Sequence, residues 1–469
     1  MYLYKLYKFN FINQINLCLF IEIIFLCNSK LLFVNVHFRH GARGSLFLDR
    51  KKGYDLLGMK WKKRGMLTPK GKRQVFLNGI KHREKYSNFL NEEYIEDEIK
   101  AYSTDSYRAI SSLECYLNGI YYNHDFKENI LSDGITVYPP GNVTEYMKGK
   151  SQELGINSIP KDNHIIPINI FQKSEHAFVL HEPGKISDCQ TISKIREKIT
   201  SENKYLEISE DFRTKYEQKL KNFYKNNNIS LNFDFSQDKI NLFCDCLYSD
   251  LTDNRNLSNL EKEGLKIEDL NEFCTNILSL VQKEVVSGDK DVVMMSQTPP
   301  AKKLLDWMDK RIELDKKGES DQVKPGYPKY TIWSGHDSSI STIQMFMKNI
   351  FGTKWTFPYF SSTVIFELHK NEKISNKDND NIYEIRYYVN DKLLLNINYQ
   401  DFKKRISDNL WTQEKIDNFC EFSIIHLEKL NKKIKKYHII ILILIVVLLI
   451  SLVFNFKNYF NYRIKHKEN

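Results

Sequence analysis

The sequence lacks the patterns that identify most nucleic-acid-binding proteins. It contains no internal repeat, no Cys and His residues at zinc-finger spacing and no alternation of basic and aromatic residues. The net charge of +10 would by itself suggest an acidic partner. However, residues 1–30 carry +2 and residues 432–469 carry +7, which leaves only +1 on residues 31–431. The main body is therefore close to neutral, and we expect no nucleic-acid partner.

Cysteine is scarce. Of eight cysteines, Cys18 and Cys27 lie near the N-terminus, and the other six form an even set. In an oxidising compartment this set predicts disulfide bonds, with fifteen full pairings open. Cys244-Asp245-Cys246 resembles half of a metal site, but no matching pair at zinc spacing accompanies it, so a structural role is favoured and no metal is expected. Triplets of the form of glycosylation acceptors begin at Asn142, Asn228 and Asn256.

Two apolar runs stand at the ends of the chain. Residues 437–456 are almost wholly apolar, which is long enough to cross a bilayer and predicts a transmembrane helix followed by a short cytosolic tail, 457–469. Residues 1–30 have the form of a signal peptide, although Glu22 interrupts the apolar stretch and an uncleaved anchor is the alternative. Together these segments predict a lumenal or extracellular body and attachment to the membrane. The final compartment, a lysosome, a vacuole or the cell surface, is left open.

The body has the composition of a folded protein, with 42% hydrophobic and 13% aromatic residues in the 469-residue chain. Its patterns predict strands at 31–36, 330–333, 361–369 and 382–389, and helices at 69–90, 107–121 and 340–350. Ser103 and Asp105 are the predicted N-caps of the second helix. Residues 187–285, with one glycine and no proline, have a helical pattern. These elements predict an α/β fold with a central mixed sheet, helices on both faces and a smaller helical cap from roughly 125 to 290.

Two polar clusters follow predicted strands directly. One is Arg39-His40-Gly41-Ala42-Arg43 and the other is His336-Asp337. Because sites in α/β sheets form where strands end and helices begin, we expect the clusters to meet. Arginines bind phosphate through a planar fork of donors, a neutral imidazole can attack phosphorus, and a carboxylic acid can protonate the leaving alcohol. The residue types therefore favour phosphoryl transfer.

The sequence resembles the histidine acid phosphatase family at four places in chain order. Arg39-His40-Gly41-Ala42-Arg43 resembles the family's Arg-His-Gly-x-Arg signature. The other three matches are Gly65-Met66-Leu67-Thr68-Pro69-Lys70-Gly71, Ser103-Thr104-Asp105-Ser106-Tyr107-Arg108 and Trp333-Ser334-Gly335-His336-Asp337.

The resemblance implies a role for each matching residue. His40 would be the nucleophile that forms a phosphohistidine, and Asp337 would protonate the leaving group. The residues implied to bind the phosphate are Arg39, Arg43, Arg108 and His336. The resemblance implies no metal or organic cofactor. Because nearby positive charge lowers the pKa of an imidazole, His40 is expected to be neutral at acidic pH.

Two positions depart from the family pattern, Ser45 where the family has proline and Tyr102 where many members have arginine.

Within the family, a signal peptide, an ectodomain of residues 31–431 and a C-terminal span are most similar to the lysosomal, membrane-anchored acid phosphatases. The alternatives are a phytase-type inositol phosphate phosphatase and a catalytically inactive, membrane-tethered binding ectodomain. A phosphate monoester is the expected substrate, and a homo-oligomer remains open.

Overall fold

A computed structural model describes the greater part of the predicted body. The described residues are 29–49, 53–122, 131, 143–155, 165–171, 189–229, 235–372, 380–420, 436–438 and 440–441.

A seven-stranded mixed sheet forms the centre of the described structure. Its strands are β1 Ser29–Arg39, β2 Ile99–Thr104, β3 Asn169–Phe171, β4 Tyr330–Gly335, β5 Thr363–Asn371, β6 Tyr383–Val389 and β7 Lys392–Asn398. They lie in the order β3-β2-β4-β1-β5-β6-β7. The half from β3 to β1 is parallel, and each of the next three strands, β5, β6 and β7, pairs antiparallel with the strand before it in this order. The predicted mixed α/β sheet is confirmed.

Helices connect and flank the strands. Their bounds are α1 Pro69–Lys85, α2 Tyr107–Ile120, α3 Glu145–Leu154, α4 Gln190–Thr200, α5 Asn203–Asn226, α6 Gln237–Thr252, α7 Ser258–Lys262, α8 Ile267–Leu280, α9 Lys290–Lys316, α10 Asp337–Phe351, α11 Tyr399–Ser407 and α12 Gln413–Cys420. A π-helical segment, Val281–Val286, continues α8, and a short 3-10 turn, Asp380–Ile382, precedes β6.

Helices pack on both faces of the sheet because side chains of a strand alternate between the faces. On β1, Phe38 stacks on Tyr116 of α2 with ring centroids 5.2 Å apart. Phe33, an odd-numbered residue of the same strand, contacts Trp307 of α9 at 6.2 Å. Nearly every residue of β1 from Leu32 onward is buried, so this strand is central to both layers.

Some local expectations differ from the structure. The sequence patterns do not predict strands β2, β3 and β7. For β3 the reason is its length of three residues, and for β7 it is the exposure of an edge strand. The predicted N-caps Ser103 and Asp105 are wrong, since α2 begins at Tyr107 with Ser106 as its N-cap. Ser103 belongs instead to β2, where pairing with β4 extends the backbone.

The helices from α5 to α8 form a second core beside the sheet. Side chains from α5, α6 and α8, among them Phe212, Phe243 and Ile277, pack with Leu57 in one buried cluster. A disulfide bond joins Cys244 of α6 to Cys274 of α8. This region, which we call the cap helices (203–280), agrees with the helical pattern of residues 187–285. Residues 169–171, inside the predicted cap range, form β3 of the sheet.

The described chain divides into two compact units. The first holds the sheet, the cap helices and the rest of residues 195–411, and the second holds the described residues 189–194, 412–420, 436–438 and 440–441. In the second unit, a disulfide bond joins Cys189 to Cys420, and Thr191 Oγ1 donates a hydrogen bond to the Phe419 carbonyl at 2.5 Å. Of the six body cysteines, all of which are described, Cys115 and Cys246 are thiols.

The predicted terminal segments fall mainly outside the described residues. Ser29 and Lys30, at the end of the predicted leader, are the first residues of β1. Only four residues of the predicted span 437–456 are described, and the tail 457–469 is not. Among the described residues, no helix has the length and apolar character needed to cross a membrane.

Candidate active site

The two sequence clusters meet at one edge of the sheet. Strands β1 and β4 are parallel neighbours, and Arg39 at the end of β1 is opposite Gly335 at the end of β4. His40 and His336, the residues that follow the two strands, therefore lie side by side at the ends of β1 and β4. Their rings meet edge to face with centroids 5.3 Å apart. The structure thus brings the two clusters together.

Glycines allow the loop after β1 to lie directly against α1. We call residues 39–45 the β1 loop. A Cβ on Gly41 would come within 2.2 Å of the Gly71 carbonyl oxygen, and one on Gly71 would come within 2.0 Å of the Ala42 carbonyl oxygen. Thr68 closes the contact, since its backbone N–H donates to the Ala42 carbonyl at 2.9 Å. The Gly-x-Leu-Thr-x-x-Gly segment is therefore the platform on which the β1 loop rests.

His40 is buried and held in one tautomer. Its Nδ1 lies 2.9 Å from the Gly41 carbonyl oxygen. Because a carbonyl only accepts, Nδ1 must donate, which leaves the lone pair of a neutral ring on Nε2. Burial, and then the positive charges of Arg108, Arg39 and Arg43, hold the pKa of His40 well below its usual value. His40 is thus a neutral imidazole with its basic nitrogen on Nε2.

Arg39 contacts both sides of the site. Its guanidinium donates to the Pro358 carbonyl at 2.7 Å and pairs with Asp337 Oδ2 at 2.9 Å. The same group lies 4.2 Å from the centre of the Phe360 ring, a cation–π contact. The Arg39 side chain is only 2% exposed, so its position is tightly fixed.

Arg43 turns towards the cap helices. Its terminal nitrogens lie 2.6 and 3.1 Å from the two carboxylate oxygens of Asp245, a bidentate pair. It also donates to Ser249 Oγ and to the Gly44 carbonyl, each at 3.2 Å. Burial would lower the pKa of Arg43, but Asp245 outweighs that effect and raises it. Arg43 is therefore a fixed cation.

Arg108 and His336 form a third pair beside His40. An Arg108 terminal nitrogen lies 3.2 Å from His336 Nδ1, and Thr104 Oγ1 lies 3.1 Å from His336 Nε2. Since a guanidinium only donates, Nδ1 accepts and the proton of the neutral ring is on Nε2, directed at Thr104. His336 thereby fixes Arg108 close to His40.

The two arginines of the β1 loop retain buried N–H donors. Within the described part of the chain, Nε of Arg39 and Nε of Arg43 have no hydrogen-bond partner although both atoms are buried. An unsatisfied buried donor on a cationic group is costly, and an anion would satisfy it. The two donors belong to the side chains on either side of His40 in the sequence. This arrangement can bind an oxyanion next to the imidazole.

Asp337 is the first residue of α10. Its Oδ1 accepts the Ser338 N–H at 2.9 Å, and its side chain is 28% exposed. Burial would raise the pKa of Asp337, but the charges of Arg39 and Arg43 outweigh that effect and lower it. In the absence of an anion, Asp337 is thus an ionised partner of Arg39.

The structure adds residues that the motifs did not predict. Asp245 and Ser249 are four residues apart on α6, so both face Arg43. The spacing is visible in the sequence, but the arginine that they bind is 202 residues away from Asp245. Ser45, where the family has proline, accepts from the Phe47 N–H at 3.0 Å and lies 3.0 Å from Cys246 Sγ. These bonds close the β1 loop in the absence of the proline.

All six residues that the sequence singled out lie at this site, and most of the chain matches one family. Residues 30–390 match the histidine phosphatase superfamily (branch 2), and the protein belongs to this family. The resemblance found in the motifs is therefore confirmed.

Solved structures with similar folds have low sequence identity to this chain. The apo phytase of Hafnia alvei is 13% identical, with a TM-score of 0.48, over 82% of this chain and 98% of its own. The multiple inositol polyphosphate phosphatase of Bifidobacterium longum, in complex with inositol hexasulfate, is 10% identical, with a TM-score of 0.46, over 83% of this chain and 94% of its own. No curated protein sequence matches the chain.

Proposed function

We propose that this protein is an acid phosphatase that hydrolyses phosphate monoesters through a phosphohistidine on His40. The observation that carries the proposal is a buried, neutral imidazole whose Nδ1 is occupied by a carbonyl and which three arginines surround. The ring is basic only at Nε2, and the cations can stabilise charge on the equatorial oxygens of a transferring phosphoryl group.

The proposed reaction has two steps. First, the Nε2 lone pair of His40 attacks phosphorus, the bond from phosphorus to the ester oxygen breaks, and Asp337 gives its proton to the leaving alcohol. Then water attacks the phosphohistidine, Asp337 takes a proton from that water, and the N–P bond breaks. Inorganic phosphate leaves, and both residues return to their initial states.

The ion pair between Arg39 and Asp337 explains why the proposed enzyme needs acid. Asp337 must be protonated to act as the acid in the first step, yet Arg39 lowers its pKa in the ligand-free site. A bound phosphate would compete for Arg39 and place negative charge next to Asp337, and both effects raise the pKa of that carboxyl. Low pH favours the same protonation, whereas His40 remains neutral because its own pKa is well below the usual value.

The proposed location is a lumenal or extracellular compartment, with one C-terminal membrane span. The disulfide bonds Cys189–Cys420 and Cys244–Cys274 support an oxidising environment. Protease protection of intact vesicles tests this topology. The body should be protected and the epitope-tagged tail 457–469 should be digested. Digestion of the body in intact vesicles would contradict it.

The test of the proposed activity uses the full-length protein and His40→Ala. We expect hydrolysis of para-nitrophenyl phosphate at acidic pH, and a loss of at least ~10⁴-fold in His40→Ala because the nucleophile is removed. Labelling with a radioactive monoester should give an acid-labile phosphoenzyme in the native protein only. His466→Ala is the control, because His466 lies in the predicted tail 457–469, outside the catalytic body.

Three results would contradict the proposal in different ways. Unchanged activity in His40→Ala would remove His40 as the nucleophile. Phosphate binding without hydrolysis would favour the inactive binding ectodomain. A kcat/KM for inositol hexakisphosphate far above that for simple monoesters would favour the phytase-type alternative.

A further inference from the structure

Asp245 occupies both terminal nitrogens of Arg43, and among the residues that the structure describes only Nε of this guanidinium lacks a hydrogen-bond partner. A phosphate that accepts two hydrogen bonds from Arg43 therefore needs at least one of the terminal nitrogens. The two carboxylate oxygens of Asp245 accept from both of them, at 2.6 and 3.1 Å. A phosphate bound bidentately by an arginine accepts from the same kind of donor pair in the same plane. The pair is largely shielded from water, with the Arg43 side chain 3% exposed and the Asp245 side chain 16% exposed.

From this geometry we propose that Asp245 is an internal competitor of phosphate on Arg43, which weakens phosphate binding and so promotes release of the product. The inference rests on the proposed function, because it assigns Arg43 to phosphate binding. Asp245 acts through Arg43 and touches no reacting atom in the proposal, so it is a positioning residue.

Arg43 has contacts other than Asp245 that help to hold its position. The Gly44 carbonyl and Ser249 Oγ accept from its terminal nitrogen, and its guanidinium lies 5.6 Å from the centre of the Phe360 ring. These three contacts come from the β1 loop, from α6 and from the segment before β5. Asp245 adds the full negative charge that contacts Arg43 directly, and this charge opposes an incoming anion.

The surroundings of Asp245 keep its carboxylate in place. It stands next to Cys244, whose disulfide bond to Cys274 joins α6 to α8. Four residues further along α6, Ser249 binds the same arginine. The only basic residue of α6, Lys239, lies over the Phe47 ring at 5.6 Å. The face of α6 towards Arg43 therefore offers the site a carboxylate and a hydroxyl.

Charge explains the expected direction of the effect. Phosphate binding in the native protein must weaken the Arg43–Asp245 pair, and the free energy of that pair is subtracted from the binding free energy. Asparagine in place of Asp245 keeps one acceptor for Arg43 but removes the charge. The variant should therefore bind phosphate more tightly. A merely structural role for Asp245 predicts the opposite, since a loosened Arg43 would bind phosphate less well.

The experiment compares the full-length native protein with Asp245→Asn and uses inorganic phosphate as the probe. Isothermal titration should show a roughly tenfold lower Kd in the variant. The inhibition constant for phosphate and the KM for para-nitrophenyl phosphate should fall with it, whereas kcat should not rise. Asp245→Glu, which restores the charge, should return the Kd towards the native value. Asp245→Ser provides the same charge removal if Asp245→Asn does not fold.

Asp253→Asn is the matched control. Asp253 caps the C-terminus of the same helix, is 17% exposed and pairs with Arg255 at 3.0 Å. The substitution removes one charge of similar burial that does not contact Arg43. The Kd of this variant for phosphate should equal the native one.

The outcomes separate this inference from the proposed function. An unchanged or higher Kd in Asp245→Asn, with normal phosphate binding by the native protein, would overturn the inference alone. Binding by neither protein would overturn the proposed function and, with it, the inference. Binding by the variant only would support the competitor role in its strongest form.

Discussion

Arg39 and Arg43 belong to the same loop, but their carboxylate partners come from two different regions of the molecule. Asp337, the partner of Arg39, begins the helix that follows β4 and is 28% exposed. Asp245, the partner of Arg43, lies in the middle of a cap helix and is 16% exposed. The helix that follows β4 thus supplies a carboxyl that solvent can protonate, and the cap helices supply a charge that is shielded from solvent. In the mechanism that we propose, these two similar ion pairs serve different steps of one reaction.

The largest expected difference between the two carboxylates concerns the leaving group. Asp337→Asn should slow the hydrolysis of alkyl phosphates by about 10²–10³-fold, because their alkoxide needs a proton. It should slow para-nitrophenyl phosphate much less, because nitrophenolate leaves without protonation. Steady-state kcat/KM values for the two substrates provide the measurement. For Asp245→Asn, the ratio between the two substrates should stay at its native value. Equal losses for both substrates in Asp337→Asn would show that Asp337 only positions Arg39.

A second difference is the pH dependence of the free energy of unfolding, to which a carboxyl of the cap helices contributes. Burial, and then the charge of Asp55, raise the pKa of Asp250 on α6 to about 9. This carboxyl therefore binds a proton in the folded state that it releases on unfolding above its ordinary pKa of about 4. The contribution of this proton to the free energy of unfolding is lost as pH rises and regained as pH falls. Acidification from pH 7 to 5 should therefore stabilise the fold by roughly 2–3 kcal/mol through Asp250. Urea unfolding of Asp250→Asn should lack that gain. An identical pH slope in the variant would contradict the assignment.

The smallest expected effect on the free energy of unfolding has the opposite sign and comes from a histidine of α1, outside the cap helices. Burial lowers the pKa of His82 to about 3, and its Nδ1 is hydrogen-bonded to the Tyr116 hydroxyl. His82 thus stays neutral in the folded state and takes up a proton on unfolding below its ordinary pKa of about 6.5. Its contribution is complete above that pH and is lost as pH falls towards 3, by about 2 kcal/mol at pH 5. His82→Gln should remove this part of the acid sensitivity in urea unfolding, whereas His466→Ala, in the predicted tail, should not. Loss of the same stability between pH 7 and 5 in His82→Gln would rule out this role.

The sequence allowed much of the site to be predicted because its chemistry is local. Arg39, His40 and Arg43 lie within five residues, and His336 and Asp337 are adjacent, so short motifs contain most of the reactive groups. The strands before them were predicted as well, because β1 and β4 are almost fully buried and have continuous apolar patterns. The edge strands β3 and β7 and the N-cap Ser106 were not, since short or exposed segments carry a weak periodic signal.

Asp245 shows why the remainder required the fold. The sequence drew attention to Cys244-Asp245-Cys246 only as half of a metal site and favoured a structural role. Cys244 does form a disulfide bond, with Cys274, but no local pattern in the sequence relates the residue beside it to an arginine 202 positions earlier. That relation depends on how the cap helices pack beside the sheet.

The candidate reactive groups of this protein can be identified from its sequence alone, because residue types and their order at two strand ends are local properties. The protonation and pairing of those groups depend on the tertiary structure. The neutral tautomer of His40, the ion pair of Asp337 and the capture of Arg43 by Asp245 all depend on burial and on charges from distant segments. Both act through space at distances of a few ångströms, so they take effect only once folding has brought β1, β4 and α6 together.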